Sequence, residues 1–188
     1  LGSQVRYEMA VAATENLECA GLLNDAFWCS RKDHRFEGNV YEVLIGRSST
    51  PRHPGSYRFP KVRAKQLAQV RDALARVPLA TRLANSPAPV ALRKGLIEEI
   101  PGLGPKQASM FIRNIGKSYD LAILDTHVLR FMDMQGLLPL AEARINTVKG
   151  YEAAERIVLD YAGTLGYPVG YLDWAIWATM KAARELAA

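Results

Sequence analysis

The sequence predicts an all-α fold, and three observations support this prediction. Apolar residues recur three or four positions apart over most of the chain, which is the spacing of amphipathic helices. Clusters of proline, glycine and small polar residues interrupt these stretches and mark turns. We find no β-rich segment, no internal repeat and no low-complexity tract. The 188 residues are enough for one ordinary domain or a two-lobed one.

The N-terminal half contains two predicted helices and two less regular stretches. Residues 7–28 have apolar side chains at helical spacing, and residues 61–77 form an amphipathic helix with basic residues on its polar side. Residues 39–47 are short and strongly apolar, so their pattern fits either a helix or a strand. Residues 48–60 contain three prolines, a glycine and several hydroxyl side chains, which predicts a turn-rich loop.

The C-terminal half is predicted to be helical throughout. Residues 85–100 contain the cap and proline signature Ser86-Pro87, after which a helix is predicted. Lys149-Gly150 is a candidate break, because glycine lowers helix stability. Further helices are predicted at about 105–116, 126–136, 141–165 and 170–187.

The composition indicates a soluble protein with a mild excess of positive charge. Nearly half of the residues are hydrophobic, but they form no long uninterrupted apolar run. The formal net charge of +5 permits nucleic acid as a partner without requiring it. Cys19 and Cys29 are too few for a disulfide scaffold or a four-cysteine cluster, and no signal peptide is visible. We therefore expect free thiols in a cytoplasmic protein.

The stretch Pro101-Gly102-Leu103-Gly104-Pro105 joins two predicted helices through an unusual turn. Pro101 cannot continue the helical hydrogen bonding, and Pro105 suits the first position of the next helix. Gly102 and Gly104 permit backbone angles that other residues resist, and they leave the backbone amides uncovered. The turn predicts a phosphate site at a helix N-terminus, where the contact fixes position without reading sequence. A helix corner without a ligand is the alternative interpretation.

Lys106 and Asp125 are the candidate catalytic residues. Lys106 lies in the first turn of the helix after the hairpin, where the helix dipole disfavours a cation and favours the neutral, nucleophilic amine. Asp125 follows one helix and a short loop later, so the two side chains could face one cleft. The alternatives are an ordinary N-cap for Asp125 and a solvated helix start for Lys106. One aspartate can also serve as a cap and as a carboxylate that positions a nucleophile.

Residues 97–132 resemble the helix-hairpin-helix, Gly/Pro-rich loop and aspartate motif of the base-excision DNA glycosylase superfamily. In this resemblance "IPGLGPK" matches the hairpin, Lys106 falls on the catalytic lysine and Asp125 on the catalytic aspartate. The segments "KQASMFIRNIG", "AILDTH" and "YLDWAIWATMK" are most similar to the compact second class of 8-oxoguanine DNA glycosylase/AP lyases. The resemblance implies a two-lobed helical fold formed by residues 1–188 as a single domain, with the active-site cleft between the lobes.

The resemblance also assigns DNA-contacting residues. It places the hairpin at about 91–116 and the catalytic aspartate loop at about 117–127. Trp174 is expected to pack in the core. For the residues of the implied base pocket, which are named below, the alternative role is ordinary packing or helix capping. The implied DNA contacts are Gly102, Leu103, Gly104, Gln107 and His127. The implied base pocket consists of Phe27, Trp28, Asp173, Trp177 and Lys181.

A lysine together with an aspartate implies a bifunctional enzyme in this family. The Lys106 amine would attack C1′ of a flipped nucleotide, release the base through a Schiff base and nick the strand by β-elimination. Asp125 would stabilise positive charge on the sugar. The resemblance implies no metal and no catalytic cofactor, but a possible site for a monovalent cation at the hairpin. The implied partner is double-stranded DNA with a damaged base, bound by a monomer in the nucleoid of a bacterium or archaeon, without membrane association.

One departure from the family leaves the identity of the base open. Archaeal members end with a lysine whose carboxylate takes part in recognising 8-oxoguanine, whereas this sequence ends "KAARELAA". Another modified purine is therefore an alternative substrate to 8-oxoguanine. Two other hypotheses are a glycosylase-like protein of a bacterial antiphage defence system and a non-catalytic helix-hairpin-helix DNA-binding module. An endonuclease III-like enzyme is disfavoured, because its iron–sulfur cluster needs four cysteines.

Overall fold

The structure, a computed structural model, is helical throughout its regular elements. Among the described residues, α-helices and one 3-10 turn account for all regular structure, so the all-α prediction is confirmed. None of these helices combines the length and the apolar character that a membrane-spanning helix requires. The chain divides into two compact units, residues 1–83 and residues 84–188. The described ranges are residue 1 and residues 5–24, 35–46, 57–85 and 88–186.

The first unit packs its helices around a small apolar core. Its helices are α1 (Tyr7–Cys19), α2 (Phe36–Leu44), α3 (Pro60–Arg76) and α4 (Leu79–Asn85), the last of which runs across the boundary between the units. The apolar stretch that the sequence left open between helix and strand belongs to α2, because its buried side chains recur at helical spacing. Buried residues of this core include Leu17, Phe36, Val40, Leu44, Tyr57 and Ala64.

The second unit contains the hairpin and the segment that ends at Asp125. Its helices are α5 (Pro89–Glu99), α6 (Pro105–Asn114), α7 (Thr126–Met134), α8 (Val148–Leu165) and α9 (Val169–Leu186), with a 3-10 turn at Leu140–Glu142. Helix α9 packs against both α7 and α8. Buried residues of this core include Leu124, Val128, Met132, Tyr151, Val158 and Ile176.

Two predicted helix boundaries are wrong. The predicted helix over 7–28 ends at Cys19, where a turn closes as the Leu22 N–H donates to the Leu17 carbonyl at 2.9 Å. The predicted helix over 85–100 begins only at Pro89, with Ala88 as its N-cap. A residue before proline is held in extended backbone, and Ala88 has φ −110° and ψ 134°. The predicted cap Ser86-Pro87 lies outside the described residues.

Gly150 lies in the first turn of α8, and the prediction of a helix that starts near residue 141 and breaks there is wrong. Thr147 is the N-cap of α8, and its hydroxyl accepts the Gly150 N–H at 3.1 Å. A Cβ on Gly150 would lie 1.9 Å from the Arg144 carbonyl oxygen, so only glycine fits this close approach. The glycine therefore serves helix initiation.

Candidate active site

The Gly/Pro-rich stretch forms a tight turn between α5 and α6. The Leu103 N–H donates to the Ile100 carbonyl at 3.1 Å, and Gly102 has a φ of +83°, a left-handed conformation that favours glycine. Gly104 is the N-cap of α6 and provides no side-chain acceptor for the amides of the first turn. Gly102 is exposed, while Leu103, Gly104 and Gln107 are half-buried. The turn thus has the local geometry that the sequence predicted, and its contact with phosphate stays a prediction.

A cavity of about 270 Å³ lies beside the start of α6 and is formed entirely by residues of the second unit. Its volume is near the lower end of the range of small-molecule sites, roughly 300–1,000 Å³. Lys106 and Asp125 both line it, so the two predicted catalytic side chains share one cavity. Its lining residues are Lys106, Met110, Arg113, Ile123, Asp125, Val128, Asp173, Trp174 and Trp177. In the described part of the chain, no three His, Cys, Asp or Glu side chains are placed to hold a metal ion.

Asp125 is the N-cap of α7. Its Oδ1 accepts the backbone N–H groups of His127 and Val128, both at 2.9 Å. Both capping bonds use the same oxygen, so Oδ2 takes no part in the cap. Asp125 is therefore an N-cap, as the structural alternative predicted. This capping role is compatible with a second role for the carboxylate in the cavity. His127 is half-buried, and its predicted contact with DNA phosphate stays a prediction.

The segment 121–124, which leads to Asp125, is buried and is held by side chains. Three consecutive amide N–H groups of this segment donate to side chains of α8 and α9. The pairs are Ala122 with Glu155 Oε1 at 3.0 Å, Ile123 with Asp173 Oδ2 at 2.7 Å, and Leu124 with the Tyr151 hydroxyl at 3.0 Å. The same hydroxyl donates to the Ala122 carbonyl at 2.8 Å. Because buried amides need acceptors, these three side chains fix the backbone that presents Asp125.

Two arginines of the hairpin helices complete this arrangement. Arg93 of α5 donates from Nη1 to Glu155 Oε1 at 2.6 Å and to the Ser109 hydroxyl at 3.2 Å. Arg113 of α6 forms an ion pair with Asp173. Each hairpin helix is thus joined, through one arginine and one acid, to the segment that ends at Asp125. Sequence reasoning missed Arg93, Glu155 and Tyr151, since side chains that meet over long separations leave no periodic signal.

Asp173 is buried, with 2% of its surface exposed, and lines the cavity. Burial raises the pKa of its carboxyl to about 7; the Ile123 N–H and the Arg113 guanidinium oppose this effect, and the Asp125 carboxylate adds to it. The alternative that Asp173 caps a helix is wrong, because α9 begins four residues earlier, at Val169. Its contact with a base edge stays a prediction.

Trp174 is 61% exposed and lines the cavity, so its expected place in the core is wrong. Trp177 is 37% exposed and also lines the cavity. The Lys181 ammonium lies 5.0 Å from the centre of the Trp177 ring and 3.9 Å from Glu185, but Lys181 is not among the cavity-lining residues. The remaining predicted pocket residues, Phe27 and Trp28, lie outside the described residues.

The fold and the site together define a class of protein. A glycine- and proline-rich hairpin leads directly into a lysine-bearing helix, and an aspartate that caps the next helix lines the same cavity. This combination defines a helix-hairpin-helix protein of the glycosylase type. The chain belongs to the 8-oxoguanine DNA glycosylase family, whose model (Ogg-HhH) matches residues 53–167.

Two archaeal relatives, both named 8-oxoguanine DNA glycosylase/AP lyase, illustrate the similarity. The protein of Sulfurisphaera tokodaii is 36% identical over 173 residues, which cover 92% of this chain and 83% of the relative. The protein of Metallosphaera sedula is 34% identical over 140 residues, covering 74% of this chain. That second alignment spans 64% of the Metallosphaera protein, just under two thirds of its length.

Solved structures of two glycosylases share the fold. The 8-oxoguanine DNA glycosylase of Thermotoga maritima matches with a TM-score of 0.61 and 26% identity, over 90% of this chain and 70% of that one. The 8-oxoguanine glycosylase/lyase of Methanocaldococcus jannaschii, solved in complex with a 15mer DNA containing 8-oxoguanine, matches with a TM-score of 0.64. Its 21% identity covers 92% of this chain and 72% of that one, and this likeness concerns the fold alone.

Proposed function

We propose that this protein is a bifunctional 8-oxoguanine DNA glycosylase/AP lyase. The observation that carries the proposal is the presence of Lys106 and Asp125 on one cavity, where Lys106 directly follows a glycine N-cap that provides no side-chain acceptor for the first amides of α6. The archaeal relatives bear this name, and the Methanocaldococcus enzyme was crystallised with DNA containing 8-oxoguanine. Their names favour the enzymatic hypothesis over a purely DNA-binding module.

The proposed reaction begins when the damaged nucleotide leaves the base stack and enters the cavity. The neutral amine of Lys106 attacks C1′, the bond from C1′ to the base breaks, and the base leaves with the bonding electrons. The C1′–O4′ bond then breaks, the ring oxygen takes up the proton that the amine loses, and the opened sugar is left with a Schiff base between Lys106 and C1′. Loss of a C2′ proton then expels the 3′ phosphate, which nicks the strand. The Asp125 carboxylate stabilises the positive charge that develops on the sugar.

The hairpin is the proposed anchor on the DNA backbone. Gly102, Leu103, Gly104 and Gln107 surround the start of α6, whose free amides and dipole attract an anion. Half-buried His127, at the start of α7, is a second proposed phosphate contact. These contacts require no catalytic metal, and a monovalent cation is a candidate ligand of the hairpin carbonyls. We infer that the protein acts as a monomer on double-stranded DNA in the cytoplasm.

A panel of lesion-bearing duplexes, scored by borohydride trapping, tests the proposed function. Borohydride reduces a Schiff base to a stable secondary amine, so each processed lesion leaves a protein–DNA adduct that migrates slowly on a denaturing gel. We expect adducts with an abasic site and with 8-oxoguanine opposite cytosine. An adduct with another modified purine alone would keep the lyase chemistry and change the substrate. A folded protein that traps no lesion would contradict the proposal.

DNA affinity is expected to fall steeply with salt, because the proposed anchoring contacts are made to phosphates. Two to four such contacts would weaken binding by roughly ten- to a hundredfold between 50 and 200 mM salt. Fluorescence anisotropy with a labelled duplex over this range measures the slope. An affinity that does not change with salt would contradict the role of the hairpin.

Trp177→Ala is expected to slow base excision and to spare the cleavage of abasic DNA. Trp177 lines the cavity, and stacking of an extruded base on an aromatic ring contributes about 1–3 kcal/mol, or roughly a 5- to 150-fold change in rate. An abasic site has no base to stack. Single-turnover rates on the two substrates measure the difference.

Tyr167→Ala is the matched control for this comparison. Tyr167 is also an exposed aromatic residue, but it does not line the cavity, so both rates should equal those of the unmodified protein. An equal loss on both substrates in Trp177→Ala would show that Trp177 supports the fold and does not form part of the base pocket.

A further inference from the structure

Asp173 joins the two elements that carry the candidate catalytic side chains. Its carboxylate forms an ion pair with Arg113, two turns along α6 from Lys106. Its Oδ2 accepts the Ile123 N–H at 2.7 Å, and the Ile123 carbonyl accepts the Asp125 N–H at 2.9 Å. One side chain of α9 therefore connects the lysine-bearing helix to the peptide that presents the aspartate.

A buried carboxylate at this position carries a cost in stability. The pKa of Asp173 is about 7 in the folded protein, against an ordinary value of 3.8, chiefly because of burial. Since the folded protein holds the proton more tightly, the free energy of unfolding falls as the pH rises from about 4 toward 7. An apolar residue would avoid this loss. The presence of such a costly carboxyl group on a cavity wall indicates a role in the site.

We propose that Asp173 is a positioning residue that sets the placement of Lys106 and Asp125 on their shared cavity. It acts through the Arg113 guanidinium on one side and the Ile123 peptide on the other. This inference rests on the proposed function, because it concerns the geometry of the proposed reaction. Asp173 itself need not touch the DNA.

Glu155 provides a structural reference within the same molecule. It is a buried acid that pairs with a hairpin arginine, Arg93, and accepts one amide of the same segment, that of Ala122. It does not line the cavity, and its amide partner is one residue further from Asp125. Glu155 therefore shares the structural contacts of Asp173 without the adjacency to the site.

Asp173→Asn is the principal test. Asparagine retains an oxygen for the Ile123 N–H, but its neutral amide cannot replace the ion pair with Arg113. We expect kcat for cleavage of an abasic duplex to fall roughly 10- to 100-fold, the effect of a misplacement of about 1 Å, with little change in KM. Glu155→Gln should lower kcat by a clearly smaller factor at a temperature where it is folded, because Glu155 does not line the cavity and its amide partner is one residue further from Asp125.

The outcomes separate this inference from the proposed function. If the unmodified protein is active and Asp173→Asn has the same kcat, the inference alone is overturned. An equal fall of kcat in Asp173→Asn and Glu155→Gln would also overturn the inference alone. Unmodified protein without lyase activity would overturn both. If Asp173→Asn does not fold, Arg113→Lys tests the Arg113–Asp173 ion pair from the arginine side. Lysine keeps the positive charge but lacks the planar guanidinium group. It should lower kcat by a smaller factor, and an unchanged kcat would overturn the inference.

The pH dependence gives a readout that a purely structural role would not change. The charged groups that act on Asp173 are Arg113 from α6 and Asp125 at the start of α7, and Lys106 of α6 lines the same cavity. Because the pKa of Asp173 is about 7, the ionised carboxylate and its ion pair with Arg113 are present above that pH. Both are lost as the pH falls through 7. The rate ratio of unmodified protein to Asp173→Asn should therefore approach one on the acidic side. A ratio independent of pH would overturn the inference.

Discussion

Lys106→Gln is expected to abolish the borohydride-trapped adduct and to lower strand cleavage at an abasic site by on the order of a thousandfold or more. The proposed nucleophile is the side-chain amine, and glutamine has a similar length but cannot form a Schiff base. DNA affinity should change little, because the hairpin amides that anchor the phosphate belong to the backbone and remain in place. Trapping and anisotropy on the same protein preparation measure both quantities.

Lys117→Gln is the matched control for this substitution. Lys117 is an exposed lysine just beyond the C-terminal end of α6, and it does not line the cavity. It should trap adduct at the rate of the unmodified protein. Digestion of the trapped complex and mass spectrometry should place the DNA remnant on the peptide that contains Lys106. An adduct that persists in Lys106→Gln would show that another amine is the nucleophile.

The local part of the site could be predicted from the sequence, because it depends on neighbours in the chain. Proline is confined to the first positions of a helix, so Pro105 fixed the start of α6 and the place of Lys106 within it. An aspartate before a helix favours the N-cap, and Asp125 caps α7. The spacing of one helix and a short loop predicted that the two side chains face one cleft, and the family resemblance then assigned both as catalytic.

The parts that could not be predicted depend on contacts between distant segments. Nothing in the helical pattern around Arg93 or Glu155 indicates that these residues meet, because they are 62 positions apart and each also fits an exposed helix face. For Trp174 the sequence predicted burial that the structure does not show. An aromatic residue in an apolar helix is expected in the core, but Trp174 is exposed and lines the cavity. Periodicity gives the faces of a helix but does not identify what covers each face.

The position of Asp173 shows how much of a side chain's surroundings the sequence leaves open. The sequence and the family resemblance singled it out for a base edge or a helix cap. The structure adds an ion pair with Arg113 and the amide of Ile123, while the contact with a base edge stays a prediction. Both partners are far from Asp173 in sequence, so only the packing of α9 against the other helices identifies them. Asp173 is therefore a buried acid on the same cavity as the predicted catalytic pair.

Arg93→Met is expected to lower the free energy of unfolding by about 3–5 kcal/mol, because it leaves a buried carboxylate without its counter-charge. Arg93 is 1% exposed and Glu155 is 4% exposed, so water cannot replace the lost partner. The exposed Glu152, 3.8 Å from the guanidinium, contributes little by comparison. Urea unfolding followed by circular dichroism measures the loss, and Arg156→Met, an exposed substitution on α8, should stay within about 0.5 kcal/mol of the unmodified protein.

The double variant Arg93→Met/Glu155→Gln distinguishes charge from packing in this prediction. Glutamine removes the unpaired charge and keeps an oxygen for the Ala122 N–H, so the segment that leads to Asp125 retains its acceptor. The double variant should therefore be more stable than Arg93→Met alone, although it carries one more substitution. If it is less stable, the loss in Arg93→Met comes from the contacts of the guanidinium with Ser109 and the Tyr151 ring, and the ion pair does not carry the stability of the hairpin.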